Sequence, residues 1–285
     1  MSVPIWIKEG IKRRRGIEDV KSILRLHNLY TVCEEAKCPN IGECFRKKTA
    51  TFMILGNICT RNCRFCAIKT GIPEPLDFEE PKNVAEAAKE FGLDYIVVTS
   101  VTRDDLPDGG AYHFALTIKE IKKLIIGSRV EVLIPDFLGN FQSLQTVLYA
   151  LPDVLNHNVE TVPRLYPEVR PLAVYKRSLA VLKNAKKINP EIVTKSGIMV
   201  GLGEKEREVK EVINDLVDVN CDILTIGQYL QPSIRHYPVR EYVHPDTFKK
   251  YEEYAYRVGI KFVVSGPLVR SSYRAKEAFL GVKND

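Results

Sequence analysis

Six of the seven cysteines in this 285-residue chain fall between Cys33 and Cys66, and the seventh, Cys221, stands alone far downstream. They form two triplets, Cys33-x4-Cys38-x5-Cys44 and Cys59-x3-Cys63-x2-Cys66. A disulfide framework spreads its staples along a chain, and a protein long enough to bury a large core has no need of one. Thiols crowded into one short stretch point to metal or redox chemistry. Structural zinc takes four ligands, usually as two pairs. Each triplet here offers three thiols with no obvious fourth, and the next histidine downstream is His113. Three thiolates can hold three irons of a [4Fe–4S] cube and leave the fourth iron open to a ligand that is not protein. Two three-thiol sites therefore explain the count better than a single zinc cluster built from all six thiols. Cys221, between an amphipathic stretch and an apolar run, reads as a small buried hydrophobe.

Groups that hold a cluster must be positioned by rigid elements. From residue 50 onward, short apolar runs alternate with amphipathic stretches. Strands are expected at Thr51–Gly56, Asp94–Ser100, Val130–Pro135, Val154–Glu160, Ile192–Gly201, Asp222–Gln228 and Lys261–Ser265. Helices are expected at Asn83–Phe91, with Asn83 and Glu86 in capping-box spacing, and at His113–Ile126, Phe141–Ala150, Ala173–Ile188, Glu204–Val219 and Asp246–Val258. Strands spaced by helices imply a parallel sheet of βα units. About six units suit a partial parallel (β/α)6-type barrel, with a doubly wound open sheet as competitor.

Polar strand ends favour the barrel, because barrel sites lie where strands end and βα loops begin. The second triplet follows the first strand directly. Asn156, Asn158 and Glu160 share one face at period two. Arg103, Asp104 and Asp105 fall on the second βα loop, and Gly201-Leu-Gly203 lets backbone approach a ligand. That glycine pair lacks the third glycine of a dinucleotide fingerprint. Residues 1–50 then form a cysteine-bearing arm, 51–265 the barrel, and 266–285 a tail closing the barrel mouth, all within one structural unit.

The composition narrows the class further. Apolar residues are 45% and charged residues 27%, ordinary for a soluble globular protein. No run reaches the roughly 18 apolar residues of a membrane span. The start resembles neither a signal peptide nor a transit peptide, so a cytoplasmic protein is expected. The net charge of +6, with a basic run Lys12–Arg15, permits an acidic partner without demanding nucleic acid. An RNA-binding or zinc scaffold using that run and the thiols is the alternative from another functional class.

With the aromatic Phe65 before its last cysteine, Cys59-x3-Cys63-x2-Cys66 on a barrel's first βα loop resembles the radical S-adenosylmethionine (SAM) superfamily. Within it the chain resembles the lipoyl synthase family from Cys33 through Tyr273. The resemblance is carried by the first triplet, by Thr99–Gly110 (TSVTRDDLPDGG), Asn156–Tyr166 (NHNVETVPRLY), Lys195–Glu204 (KSGIMVGLGE) and Gly266–Tyr273 (GPLVRSSY). Another radical SAM enzyme with an auxiliary cluster, such as a methylthiotransferase or biotin synthase, is the nearer competitor.

The resemblance implies insertion of two sulfurs into an octanoyl chain amide-linked to a lysine of a carrier protein. Such carriers are the glycine cleavage H protein and the lipoyl domains of 2-oxoacid dehydrogenases. A small electron-transfer protein is the implied reductant. Two [4Fe–4S] clusters and SAM are the implied cofactors. One cluster, on Cys59, Cys63 and Cys66, binds and cleaves SAM to a radical, which suits a C–H bond that acid–base catalysis cannot open. The other, on Cys33, Cys38 and Cys44 with Ser272 as its fourth ligand, is the sulfur source. Serine oxygen is harder than thiolate and less suited to iron–sulfur clusters, so that iron is the one implied to leave. Asn158, Glu160, Arg170, Gly201 and Gly203 are expected around SAM, and Arg270 near the auxiliary cluster.

Overall fold

The computed structural model describes residues 3–10, 18–46 and 50–283; the basic run Lys12–Arg15 lies outside them. The chain divides into two compact units. One comprises Ile11–Arg61 and Ala67–Leu155, the other Met1–Gly10, Asn62–Cys66 and Asn156–Asp285.

In the first unit, β1 (Thr51–Ile54), β2 (Tyr95–Ser100) and β3 (Arg129–Leu133) pair in parallel, β1 with β2 and β2 with β3. Their residues are mostly apolar and buried, as a parallel sheet covered on both faces requires. The short segment Tyr30–Thr31 adds an antiparallel edge to β1. The helices that follow these three strands are α1 (Glu80–Glu90), α2 (Ala111–Leu124) and α3 (Phe141–Tyr149). Helix α1 starts three residues ahead of the expected capping box. Pro81 stands in its first turn, where a fixed φ and a missing N–H cost nothing, so Asn83 falls inside the helix and caps nothing.

Strand β4 (Val154–Asn156) is shorter than expected, and Glu160 beyond it takes φ 64°. In the second unit β5 (Val193–Val200), β6 (Ile223–Gln228) and β7 (Phe262–Gly266) pair in parallel, β5 with β6 and β6 with β7. The longer helices of this unit are α4 (Tyr175–Ile188), α5 (Glu206–Asp218), α6 (Pro245–Val258) and α7 (Ala275–Lys283). Val209, Val212, Ile213 and Leu216 recur at helical spacing along α5 and join Leu224 and Ile226 of β6 in the core. Within each unit, every strand of the parallel set after its first lies beside the one before it. Among the described residues neither unit shows the order reversal of a doubly wound sheet, so within each the winding is that of barrel-type βα units.

Asp222 fastens the N-terminal ends of this second set of strands. Its carboxylate accepts from Lys186 Nζ at 2.5 Å, the Thr194 amide at 2.8 Å and Lys261 Nζ at 2.8 Å. Burial alone would raise the Asp222 carboxyl, but the Lys186, Lys261 and Thr194 hydrogen bonds outweigh it and hold the group below the ordinary carboxylate range. A depressed native value contributes stability that is present above the unfolded value of about 3.9 and is lost as pH falls through the native one. Asp222→Asn should cost about 2–3 kcal/mol at neutral pH. Denaturant unfolding of both proteins across pH should show that gap closing in acid.

Candidate active site

The loop after β1 carries the second cysteine triplet. In the first unit, Cys59 ends a two-residue strand paired in parallel with Lys69–Thr70, and its Sγ accepts the Arg61 amide at 3.4 Å. The Arg61 side chain is buried. It makes two bonds to Asp104, Nε–Oδ2 at 2.6 Å and Nη2–Oδ1 at 2.8 Å, and a third from Nη2 to Asp136 Oδ1 at 2.6 Å. Thr60 adds two bonds to the Thr102 carbonyl, both 3.0 Å, and its hydroxyl accepts the Asp104 amide at 3.1 Å. Burial works against the Arg61 charge, yet hydrogen bonds to Asp104 and Asp136 outweigh it and keep the guanidinium protonated. The loop after β1 is thus pinned to those after β2 and β3. Arg103 is also engaged internally, by a fork to Asp105 and a bond to the Leu55 carbonyl.

The first triplet lies in the same unit. Cys33 is buried in the short helix Val32–Glu35, which Thr31 caps from its hydroxyl. Burial, then the neighbouring Cys38 and more weakly Cys44, push its thiol up to about 12 against hydrogen bonds from Thr51. Iron would have to displace that proton. The Cys38 amide donates to the Cys33 carbonyl, and the Cys44 amide to that of Asn40, each at 3.0 Å. None of the seven cysteines is in a disulfide, and Cys221 is buried as expected. Among the described residues no three His, Cys, Asp or Glu side chains gather as around one ion. A cluster spreads its thiolates over separate irons, which is a different spacing.

In the second unit Cys63 and Cys66 share one turn, with the Cys66 amide donating to the Cys63 carbonyl at 3.0 Å. The turn is held by backbone bonds of Arg64 to Val169 at 2.9 Å and from Tyr237 at 2.7 Å, while Phe65 packs on that unit's core. Beyond β4 the Glu160 amide donates to Gly197 at 2.9 Å and its carbonyl accepts from Met199 at 2.8 Å, which anchors its strained backbone to β5. Asn158 Nδ2 donates to Glu160 Oε1 at 3.0 Å.

Arg170 Nη1 donates to the Asn158 and Val159 carbonyls, both at 3.2 Å, and to Tyr166 Oη at 3.1 Å. Its Nε is buried and has no hydrogen-bond partner among the described residues. Burial opposes the Arg170 charge, but Tyr166, Glu160 and the nearby Cys63 hold the guanidinium protonated. Burial also raises the Glu160 carboxyl, against the pull of Arg170 and Asn158. A carboxylate, a guanidinium with a spare donor and a cysteine pair are therefore brought together.

Other expected residues are less free to meet a ligand. Gly201 (φ 98°) and Gly203 (φ 105°) form a left-handed turn, and Glu204 accepts the Gly201 and Leu202 amides at 2.5 and 2.9 Å. The space a Cβ would need at Gly201 is filled by Gln228 and the Glu241 carbonyl. Ser272 sits half-buried in the tail turn, which the Tyr273 amide closes on the Arg270 carbonyl at 2.9 Å.

The radical SAM superfamily model matches residues 53–216. The lipoyl synthase of Caldanaerobacter subterraneus subsp. tengcongensis is 62% identical over 272 residues, covering 95% of either chain. That of Caldicellulosiruptor saccharolyticus is 60% identical over 274 residues, 96% of either chain. The chain belongs to the lipoyl synthase family. Among solved structures HydG, a maturase of the [FeFe]-hydrogenase, matches with a TM-score of 0.59 at 16% identity, over 97% of this chain and 69% of that one. That likeness shows a shared α/β fold. As a radical SAM protein, this lipoyl synthase family member uses SAM and a [4Fe–4S] cluster. Thiols outside any disulfide and the unpartnered Arg170 Nε fit those groups.

Arg61 and Asp136 escaped the sequence reading, although Arg61 lies inside the cysteine motif. Removing the cation of a buried pair leaves its carboxylates uncompensated. Arg61→Met should cost roughly 3–5 kcal/mol, and adding Asp104→Asn should recover part of it. A double-mutant cycle by denaturant unfolding checks this. Additive losses would mean the three side chains do not act as one cluster.

Proposed function

We propose that Cys59, Cys63 and Cys66 hold the SAM-cleaving cluster, and that Cys33, Cys38 and Cys44 with Ser272 hold a second, sacrificial one. As a lipoyl synthase the enzyme inserts sulfur into a protein-bound octanoyl chain. Held by those thiolates and reduced, such a cluster would supply the one-electron reduction of SAM, the radical chemistry that an unactivated C–H bond requires.

The chain's own residues bind, orient and exclude water. Arg61 holds the loop bearing Cys59 against Asp104 and Asp136. Glu160 and Arg170 are assigned to the methionine end of SAM, whose ammonium and carboxylate match an acceptor and a spare donor. Asn158 orients Glu160, Phe65 packs behind the cysteine turn, and Gly203 is the member of the glycine turn assigned toward the adenine, since Gln228 and Glu241 fill the room beside Gly201. Ser272 is assigned by its place in Arg270-Ser271-Ser272-Tyr273, with Arg270 beside the same cluster.

The substrate is an octanoylated protein. We assign the glycine cleavage H protein and lipoyl domains of 2-oxoacid dehydrogenases as carriers, with a small electron-transfer protein as reductant in the cytoplasm. Among the described residues no helix is long and apolar enough to cross a membrane.

The observation that carries the reading is the pair of cysteine triplets on a chain 62% identical to a lipoyl synthase over 95% of its length. Cys59→Ala should abolish SAM cleavage. Cys38→Ala should still give 5′-deoxyadenosine yet no thiolated octanoyl product. Anaerobic assays of both variants, with their folding checked by circular dichroism, test this. Loss of SAM cleavage in both alike would refute the division of labour between the triplets.

A further inference from the structure

Ser271, the neighbour of Ser272, makes contacts that the assigned chemistry does not use. Asn156 Nδ2 donates to its Oγ at 2.9 Å, and its hydroxyl donates to Asn158 Oδ1 at 3.0 Å. Asn158 Nδ2 in turn donates to Glu160 Oε1 at 3.0 Å. Four side chains, three from the end of β4 and its following loop and one from the tail, form a single run of hydrogen bonds.

The run has a direction fixed by chemistry. An ionised carboxylate only accepts, so Asn158 must turn its amide nitrogen toward Glu160. Its carbonyl oxygen then faces Ser271, which must spend its one proton there. The Ser271 oxygen is left to accept from Asn156. Reversing any member leaves two acceptors or two donors facing each other.

The surroundings hold the run in place. A Cβ at Gly197 would meet Asn158 Oδ1 at 2.9 Å and Thr225 Oγ1 at 2.7 Å, so glycine on β5 leaves the niche in which the carboxamide sits. A Cβ at Gly227 would meet the Val269 carbonyl at 2.2 Å, so glycine on β6 lets the tail lie close over that strand just before Ser271.

We infer that Ser271 is a positioning residue whose hydroxyl fixes the Asn158 carboxamide, and through it the Glu160 carboxylate, while tying both to the tail turn that carries Ser272. This rests on the assignment of Glu160 to SAM. It gives the first serine of the pair a role distinct from that of the second: Ser272 is assigned to iron, and Ser271 sets the geometry on the SAM side.

The test measures SAM affinity by equilibrium dialysis on anaerobically reconstituted protein, beside iron content and the unfolding midpoint. Ser271→Ala should raise the Kd for SAM about tenfold, as expected for one hydrogen bond lost next to a charged group. Iron content should stay at the wild-type level. Ser271→Thr, which keeps the hydroxyl, should restore the affinity. Glu160→Gln is measured alongside. Unchanged SAM affinity in Glu160→Gln would overturn the assignment of Glu160 and this inference with it. Weakened binding in Glu160→Gln but wild-type affinity in Ser271→Ala would overturn the role of Ser271 alone. Equal losses in the Ala and Thr variants, tracking a lowered unfolding midpoint, would make Ser271 a packing residue and also overturn it.

Discussion

A parallel strand can be followed by another only after the chain has climbed back through a crossover, so each C-terminal strand end opens into a loop without a ladder partner. Chemistry placed on such loops depends on whatever pins them. In the first unit the pin is the Arg61 guanidinium, shared by two carboxylates from the loops after β2 and β3. In the second unit it is a run of neutral and anionic side chains ending at Glu160. Both pins are polar and at least partly buried, hence costly unless every member is satisfied. Nearly all are, which leaves little freedom for the cysteines and acid they hold.

Two carboxylates of the second unit show how scaffold and site differ. Asp222 is buried with two ammonium groups and a backbone amide, and the net effect lowers its pKa. Glu160 is half-buried with one amide bond and a guanidinium that donates to two carbonyls and a tyrosine hydroxyl instead, and the net effect raises its pKa. The first group is fully compensated within the protein. The second retains unspent acceptor capacity beside Arg170, whose Nε is an unspent donor. Uncompensated burial of this kind is what a polar ligand would complete, and perturbed groups of this sort concentrate at functional sites.

Much of this was legible in the sequence because it is local. The two sets of parallel strands follow from β-branched apolar runs, and both triplets from cysteine spacing. What escaped is what distant residues decide. Helix α1 starts at Glu80 because Pro81 suits a first turn, overriding a capping box that looked complete at Asn83 and Glu86. Arg61 reads as an ordinary basic residue of a loop, since its partners lie 43 and 75 residues away. Asn156, Asn158 and Glu160 were grouped by alternation, yet the strand stops at Asn156 and a left-handed Glu160 breaks the period. They nevertheless join one network, because Ser271, 113 residues beyond Asn158, bridges the gap. The Gly201–Gly203 turn looked open to a ligand, but Gln228 and Glu241 fill the room beside Gly201.

The central claim is that the first triplet holds the sulfur that the second triplet's chemistry inserts. It is tested most directly by reconstituting the apoprotein with isotopically heavy sulfide and running a single turnover on an octanoyl-lysyl peptide, with no other sulfur source present. Mass spectrometry of the peptide then reads the origin of each inserted atom. The account predicts that both sulfurs are heavy and that the iron retained after turnover falls toward that of one cluster, about four per chain. Product bearing light sulfur, or heavy product with every iron retained, would contradict it.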